Sequence, residues 1–197
     1  MTQLYNDDSQ ENSVIARVLG PDPKHAGHLS VEALFGTLSA DPISDGDHPL
    51  AQTPGAIVVI DTTGSRVARV LAEGDSARAE LWDIVAHHGL DPRYPQAALD
   101  EAAAIVTPAE IEAGLNDPAL EDMTAFEFVT IDNEDSRDLD QAMYITPADA
   151  SGHTLVYYAL ADASYYIRPG TALFKDALRR GASFYFPGFA VPMLPRV

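Results

Sequence analysis

The C-terminal part of the fold is decided by residues 126–145, which read FEFVTIDNEDSRDLDQAMYI. Both ends of this stretch are rich in the β-branched and aromatic residues that favour strands. The polar residues 133–136 between them favour a turn. The pattern therefore predicts one strand over residues 126–132 and a second over residues 139–145, and residues 154–162 predict a third strand.

Three aspartates of this stretch, Asp132, Asp138 and Asp140, share the same parity on either side of the turn. Alternate side chains of a strand point to one face, so Asp138 and Asp140 project together and the turn can fold Asp132 back beside them. Converging carboxylates repel each other unless a cation or shared protons compensate their charge. Mg²⁺ prefers such oxygen ligands together with substrate phosphates, so the spacing is compatible with a metal site.

Two other interpretations of the acidic stretch compete with the metal site. A calcium loop of the helix–loop–helix type needs glycine at its sixth position and glutamate at its twelfth. Counting from Asp132, those positions hold Arg137 and Met143, which argues against that loop. An acidic turn that joins two strands and carries ordinary surface aspartates is the alternative that spacing alone leaves open.

Upstream residues predict a smaller lead domain and a connector. Apolar residues at helical spacing predict helices over residues 13–19 and 29–38, and a hairpin follows at residues 56–71. This order favours a winged-helix-like domain over residues 1–74, with a small β-barrel as the alternative. Three predicted helices make residues 75–122 a helical connector; the first ends at Gly89 and the third begins with a capping box at Thr107. The predicted fold class is α+β.

Composition narrows the function classes. The chain has 197 residues, 46% of them hydrophobic, which is typical of a globular protein. It has no cysteine, which excludes disulfides and thiolate metal sites. The acidic N-terminus lacks the features of a signal peptide, and no apolar run reaches the ~18 residues of a membrane span. We therefore expect a cytoplasmic protein without a membrane partner.

Charge is unevenly distributed along the chain. The formal net charge is −18, whereas free-standing nucleic-acid binders are usually basic. Residues 101–150 carry 13 acidic and 1 basic side chains, for a net of −12, and residues 151–197 carry 2 acidic and 5 basic ones, for a net of +3. A polyanionic partner would therefore need positive charge or cations that compensate the acidic block.

The stretch from Phe128 to Met143 resembles the signature of the ribonuclease II/R family, the RNB exoribonucleases. That signature runs Thr-Ile-Asp, five residues, then Asp-x-Asp-Asp. Further motifs that resemble the family follow in the same order: residues 159–164 (ALADAS), 166–170 (YIRPG), 185–189 (YFPGF) and 192–195 (PMLP). The chain departs from the signature where its fourth aspartate falls on Gln141, which offers a neutral oxygen and no charge.

The resemblance implies a metal-dependent 3′→5′ exoribonuclease that hydrolyses single-stranded RNA to nucleoside 5′-monophosphates, with Mg²⁺ or Mn²⁺ as cofactor. Asp132, Asp138 and Asp140 would be metal ligands, with Asp138 and especially Asp140 as the catalytic carboxylates. Gln141 would be a weakened fourth ligand. Tyr185 matches the family tyrosine that stacks on RNA.

The resemblance also implies that residues 123–197 are the N-terminal part of an RNB catalytic domain. The expected partners are then single-stranded RNA, the remainder of that domain and an RNA-binding barrel, and we expect residues 1–197 alone to be inactive. Gln141 favours one alternative, a catalytically silent RNA-processing or regulatory module that retains the RNB fold. A metal-binding surface module without an RNA role is the other.

Overall fold

The computed structural model describes residues 12–134, 136 and 139–196. The first five strands are β1 (Ser13–Pro21), β2 (His28–Phe35), β3 (Ile43–Ser44), β4 (Ile57–Asp61) and β5 (Arg66–Ala72). They close into a barrel in the order β1-β2-β3-β5-β4, with a short 3₁₀ helix at Pro49–Gln52. The strand pairs are antiparallel except for β3 with β5, which are parallel. This is the topology of a small five-stranded Greek-key barrel.

The barrel explains why helical spacing was misleading. Residues on one face of its strands, such as Val14 and Val58, form a buried cluster that draws on all five strands and fills the interior. Residues on the other face, such as Ile15 and Val59, are buried in a second cluster. With both faces buried along most of their length, β1 and β4 lose the apolar–polar alternation that marks a half-exposed strand. The predicted helices at residues 13–19 and 29–38 and the winged-helix-like domain are wrong, and the barrel alternative is correct.

The remaining elements confirm the α+β class. The helices are α1 (Ala77–His87), α2 (Gln96–Ile105), α3 (Pro108–Leu115), α4 (Ala163–Tyr166) and α5 (Ala172–Arg180). The strands form two hairpins, β6 (Gln141–Ile145) with β7 (Val156–Leu160), and β8 (Phe184–Phe186) with β9 (Phe189–Val191). The predicted connector helices are present, and the side chain of Thr107 accepts a hydrogen bond from the Glu110 N–H at the start of α3.

The described residues divide into two compact units. One is drawn from Met1–Ala103 and Gly170–Val197 and contains the barrel, α1, α5 and the β8–β9 hairpin; the other, Ala104–Pro169, contains α3, α4 and the β6–β7 hairpin. These units cut across the predicted sequence domains, so the boundaries at residues 74 and 122 stay predictions. Among the described residues, no helix has both the length and the apolar character that a membrane span requires.

The barrel unit has a core outside the barrel as well as one inside it. Trp82 and Val85 on α1 are fully buried against the outer face of the barrel. Phe189 and Val191 of β9 join the same cluster, and the Phe189 ring stacks on Trp82 with the ring centroids 5.4 Å apart. The β8–β9 hairpin is therefore anchored in the barrel unit by its second strand.

A buried polar network fastens α5 to the loop before α2. The Asp176 carboxylate is 5% exposed and accepts a hydrogen bond from Arg180 at 2.7 Å. Arg180 also donates to the Asp91 carbonyl at 2.7 Å, and its guanidinium lies 4.0 Å from the centre of the Tyr94 ring. The Tyr94 hydroxyl in turn donates to the Pro192 carbonyl at 2.7 Å, so the network reaches the segment after β9.

This network makes the stability of the protein sensitive to alkaline pH. Burial raises the pKa of the Tyr94 hydroxyl from 10.0 to about 12. Between these values the folded state keeps a proton that the unfolded state has lost, so stability is full below pH 10 and falls as the pH rises towards 12. We expect Tyr94→Phe to lower the free energy of unfolding at pH 7 by about 1–3 kcal/mol, through loss of the hydrogen bonds to two carbonyls.

Urea unfolding followed by the fluorescence of Trp82, the one tryptophan of the chain, measures this difference. The difference in the free energy of unfolding between the wild-type protein and Tyr94→Phe should shrink as the pH is raised from 9 towards 12. The shift in the pKa of Tyr94 sets this pH range. A difference in the free energy of unfolding that stays constant across this range would show that the folded state does not retain the Tyr94 proton.

Candidate functional site

The two described aspartates of the signature lie at the end of a short antiparallel ladder. In the β6–β7 hairpin Gln141 pairs with Leu160, and the Asp140 carbonyl accepts a hydrogen bond from the Ala161 N–H at 2.8 Å. Across the other edge of β6, Val129 and Met143 form an isolated bridge with two hydrogen bonds of 2.9 Å. The predicted strand over residues 126–132 is otherwise not formed.

The bridge nevertheless determines which residues face each other. Continuing the antiparallel register of Val129 and Met143 by three residues places Asp132 opposite Asp140. Both aspartates line one cavity of about 510 Å³, a volume that includes the solvent at its open side. The residues that line it are Val129, Ile131, Asp132, Asp140, Gln141, Ala142, Met143 and Tyr158.

Aromatic packing replaces the missing ladder before Asp132. The Phe126 ring contacts Tyr144 of β6 and Tyr157 of β7, with centroid distances of 5.2 and 5.6 Å. Phe128 lies 6.1 Å from Tyr144. Aromatic pairs at such distances contribute about 0.5–1.5 kcal/mol beyond the burial of their surface. The rings therefore hold the segment on the hairpin although it makes few backbone hydrogen bonds.

The electrostatics of the cavity favour a cation. No described residue donates a hydrogen bond to the carboxylate of Asp132 or Asp140, and neither carboxylate is ion-paired within the described part of the chain. Like charges placed opposite each other in a ladder are destabilising, and the surrounding residues 101–150 add a net charge of −12. Carboxylate oxygens are the donors that hard divalent cations prefer, so the two side chains fit Mg²⁺ or Mn²⁺.

The described residues supply part of the predicted ligand set. Asp132, Asp140 and Gln141 line the same cavity, whereas Asp138 lies outside the described residues. Within the described ranges, no group of three or more histidine, cysteine, aspartate or glutamate side chains is placed to hold a metal ion. The three-carboxylate face and the individual roles of its members stay predictions.

Gln141 has a partner that sequence reasoning missed. The Tyr158 hydroxyl donates a hydrogen bond to Gln141 Oε1, and both side chains line the cavity. Tyr158 pairs with Met143 and Gln141 pairs with Leu160, so Tyr158 and Gln141 lie on the same face of the hairpin. Since the register of the hairpin cannot be read from a single sequence, no local signal connects these two residues.

Tyr185 lies in the barrel unit, on β8, where it pairs with Ala190. Its side chain is 69% exposed, whereas the next residue, Phe186, stacks on Phe189 at a centroid distance of 4.9 Å. Gly188 makes the turn of the hairpin with a φ of 82°, a value that glycine adopts without strain. The hairpin therefore presents the Tyr185 ring to solvent, and its predicted stacking on RNA stays a prediction.

Comparison with known proteins identifies the segment that carries this site. Residues 120–197 match the RNB domain. The chain is 38% identical over 154 residues to ribonuclease R of Vibrio cholerae, which covers 73% of this chain and 18% of that protein. Ribonuclease R of Escherichia coli is 33% identical over 202 residues, which cover 93% of this chain and 24% of that protein. Exoribonuclease 2 of Sodalis glossinidius is 32% identical over 132 residues, which cover 67% of this chain and 19% of that protein.

The chain thus spans about a fifth of the length of these curated relatives. The matched region contains the signature stretch, the carboxylate cavity and the hairpin of Tyr185. Residues 120–197 therefore belong to the RNB domain family.

Proposed function

We propose that this chain contributes the start of the metal site of a 3′→5′ exoribonuclease that hydrolyses single-stranded RNA to nucleoside 5′-monophosphates. The observation that carries the proposal is the pair of carboxylates, Asp132 and Asp140, which line one open cavity within the residues that match the RNB domain. The names of the relatives, ribonuclease R and exoribonuclease 2, support the same reaction class.

In this proposal Asp132, Asp138 and Asp140 hold Mg²⁺ or Mn²⁺. When bound, such a cation supplies Lewis-acid stabilisation for the charge that develops on a phosphodiester during hydrolysis. The chain supplies the positions of the ligands. Asp140 is fixed by the hydrogen bond of its carbonyl to Ala161, whereas Asp132 depends on the bridge at Val129 and on the aromatic packing behind it.

RNA would be held by other parts of the protein. The exposed Tyr185 ring offers a surface on which a base of any sequence can stack, a contact worth about 1–3 kcal/mol. The net charge of −12 over residues 101–150 repels a polyanion, so we propose that a remainder of the RNB domain and a basic RNA-binding barrel complete the enzyme. The exposed side chains of Val156 and Leu160 on β7 fit packing against that remainder.

A second candidate is a catalytically silent module that binds RNA without turnover. The observation that favours it is Gln141, because an amide at the fourth position of the signature removes one negative charge from the candidate metal site. The two functions differ in one measurable property, the release of mononucleotides.

The first experiment measures metal binding. We expect the full-length protein to bind Mn²⁺, and Asp132→Asn or Asp140→Asn to weaken this binding at least tenfold, because each removes a charged ligand from a site with few others. Glu127→Gln is the matched control, since Glu127 is an exposed carboxylate of the same segment that does not line the cavity. Equal dissociation constants for Asp140→Asn and Glu127→Gln, measured by electron paramagnetic resonance of free Mn²⁺, would remove the metal site from the proposal.

The second experiment measures hydrolysis. With a 5′-labelled single-stranded oligoribonucleotide and Mg²⁺, the full-length wild-type protein should release nucleoside monophosphates and lose this activity in chelator. Asp140→Asn should reduce the rate by about 10²–10³-fold, the usual cost of losing one electrostatic stabiliser, while RNA binding persists. RNA binding without release by the wild-type protein would support the silent module instead, and full activity of Asp140→Asn would overturn the role of Asp140.

A further inference from the structure

The hydrogen bond between Tyr158 and Gln141 determines which end of the Gln141 amide is available to a ligand. A phenol hydroxyl carries one proton, and Tyr158 donates it to Gln141 Oε1. No described residue accepts a hydrogen bond from the Gln141 amide nitrogen. Among the described residues, the two N–H donors are therefore the part of this side chain without a partner, at the cavity that Asp132 and Asp140 also line.

The hairpin register places these side chains together. Gln141 is opposite Leu160, and Met143 is opposite Tyr158, so Gln141 and Tyr158 are diagonal neighbours on one face. Diagonal Cα atoms in an antiparallel pair are about 7–8 Å apart, which long side chains such as tyrosine and glutamine span. Tyr158 is 55% exposed, so its hydroxyl reaches Gln141 along the rim of an open cavity.

The chemistry of the amide separates two roles for Gln141. An amide oxygen can ligate a cation, whereas an amide N–H₂ group can only donate hydrogen bonds. A cation that bound Oε1 would share that oxygen with the Tyr158 hydroxyl. A phosphate oxygen has no such competitor, because it would accept from the free N–H donors. A neutral donor also avoids the repulsion that an aspartate at this position would exert on a phosphate.

We infer that Gln141 binds substrate rather than metal: its amide nitrogen donates a hydrogen bond to a non-bridging phosphate oxygen of RNA, and Tyr158 is the positioning residue that holds the amide in this orientation. The inference rests on the proposed function and deepens it. It replaces the expectation that Gln141 is a weakened fourth metal ligand.

The test compares two dissociation constants in the full-length protein, neither of which requires turnover. Gln141→Met keeps the length of the side chain but removes both the oxygen and the donors. We expect its Mn²⁺ dissociation constant to stay within about twofold of wild type. Its dissociation constant for a single-stranded oligoribonucleotide in chelator should rise at least tenfold, the usual effect of one lost hydrogen bond to a charged group.

Tyr158→Phe tests the positioning role. We expect it to weaken RNA binding in the same direction, by a smaller factor, and to have no further effect in the Gln141→Met background, since it acts through the amide. Tyr157→Phe is the matched control, because Tyr157 is the neighbouring residue on the opposite face of β7 and packs in the aromatic cluster. A general loosening of the hairpin would persist in the double variant and would overturn the role of Tyr158.

The inference would be overturned if Gln141→Met weakened Mn²⁺ binding tenfold and left RNA binding unchanged, because Gln141 would then be a metal ligand. Absence of RNA hydrolysis by the wild-type protein would instead count against the proposed function alone, since both dissociation constants are measured without turnover.

Discussion

Two carboxylates of like charge, Asp132 and Asp140, line one open cavity beside a short antiparallel hairpin, and the account of this protein depends on their proximity. The bridge between Val129 and Met143 sets the register, and the hydrogen bond from Ala161 fixes the Asp140 backbone. No described group neutralises the pair. Because like charges close together repel each other, the proposed cation would stabilise this arrangement.

Aromatic contacts of the hairpin hold the segment that carries Asp132. Phe126 packs on Tyr144 and Tyr157, and these contacts hold a segment that has only one ladder pair among its residues. One face of the hairpin therefore carries the aromatic residues that position Asp132. The other face carries Gln141 and Tyr158.

Sequence reasoning was accurate where chemistry is local. The Thr107 cap predicted the start of α3. Asp132 and Asp140, which share parity around a polar turn, line one cavity, and their role as metal ligands stays a prediction. Sequence reasoning was wrong where burial is decided by the whole fold. Residues 13–19 belong to a barrel strand whose inner and outer faces are both buried, so their apolar spacing resembled that of a helix. Tyr158 was missed because its contact with Gln141 depends on the hairpin register, which is set across 17 residues of chain.

The most direct test of the central claim is the position of a bound ion. Crystals of the full-length protein grown with Mn²⁺ would locate it by anomalous scattering. The account predicts an ion bound by the carboxylates of Asp132 and Asp140 at about 2.0–2.2 Å, an ordinary distance for a small hard cation, with Gln141 Oε1 still on Tyr158. An ion bound away from both aspartates, or a site that stays empty at saturating Mn²⁺, would contradict it.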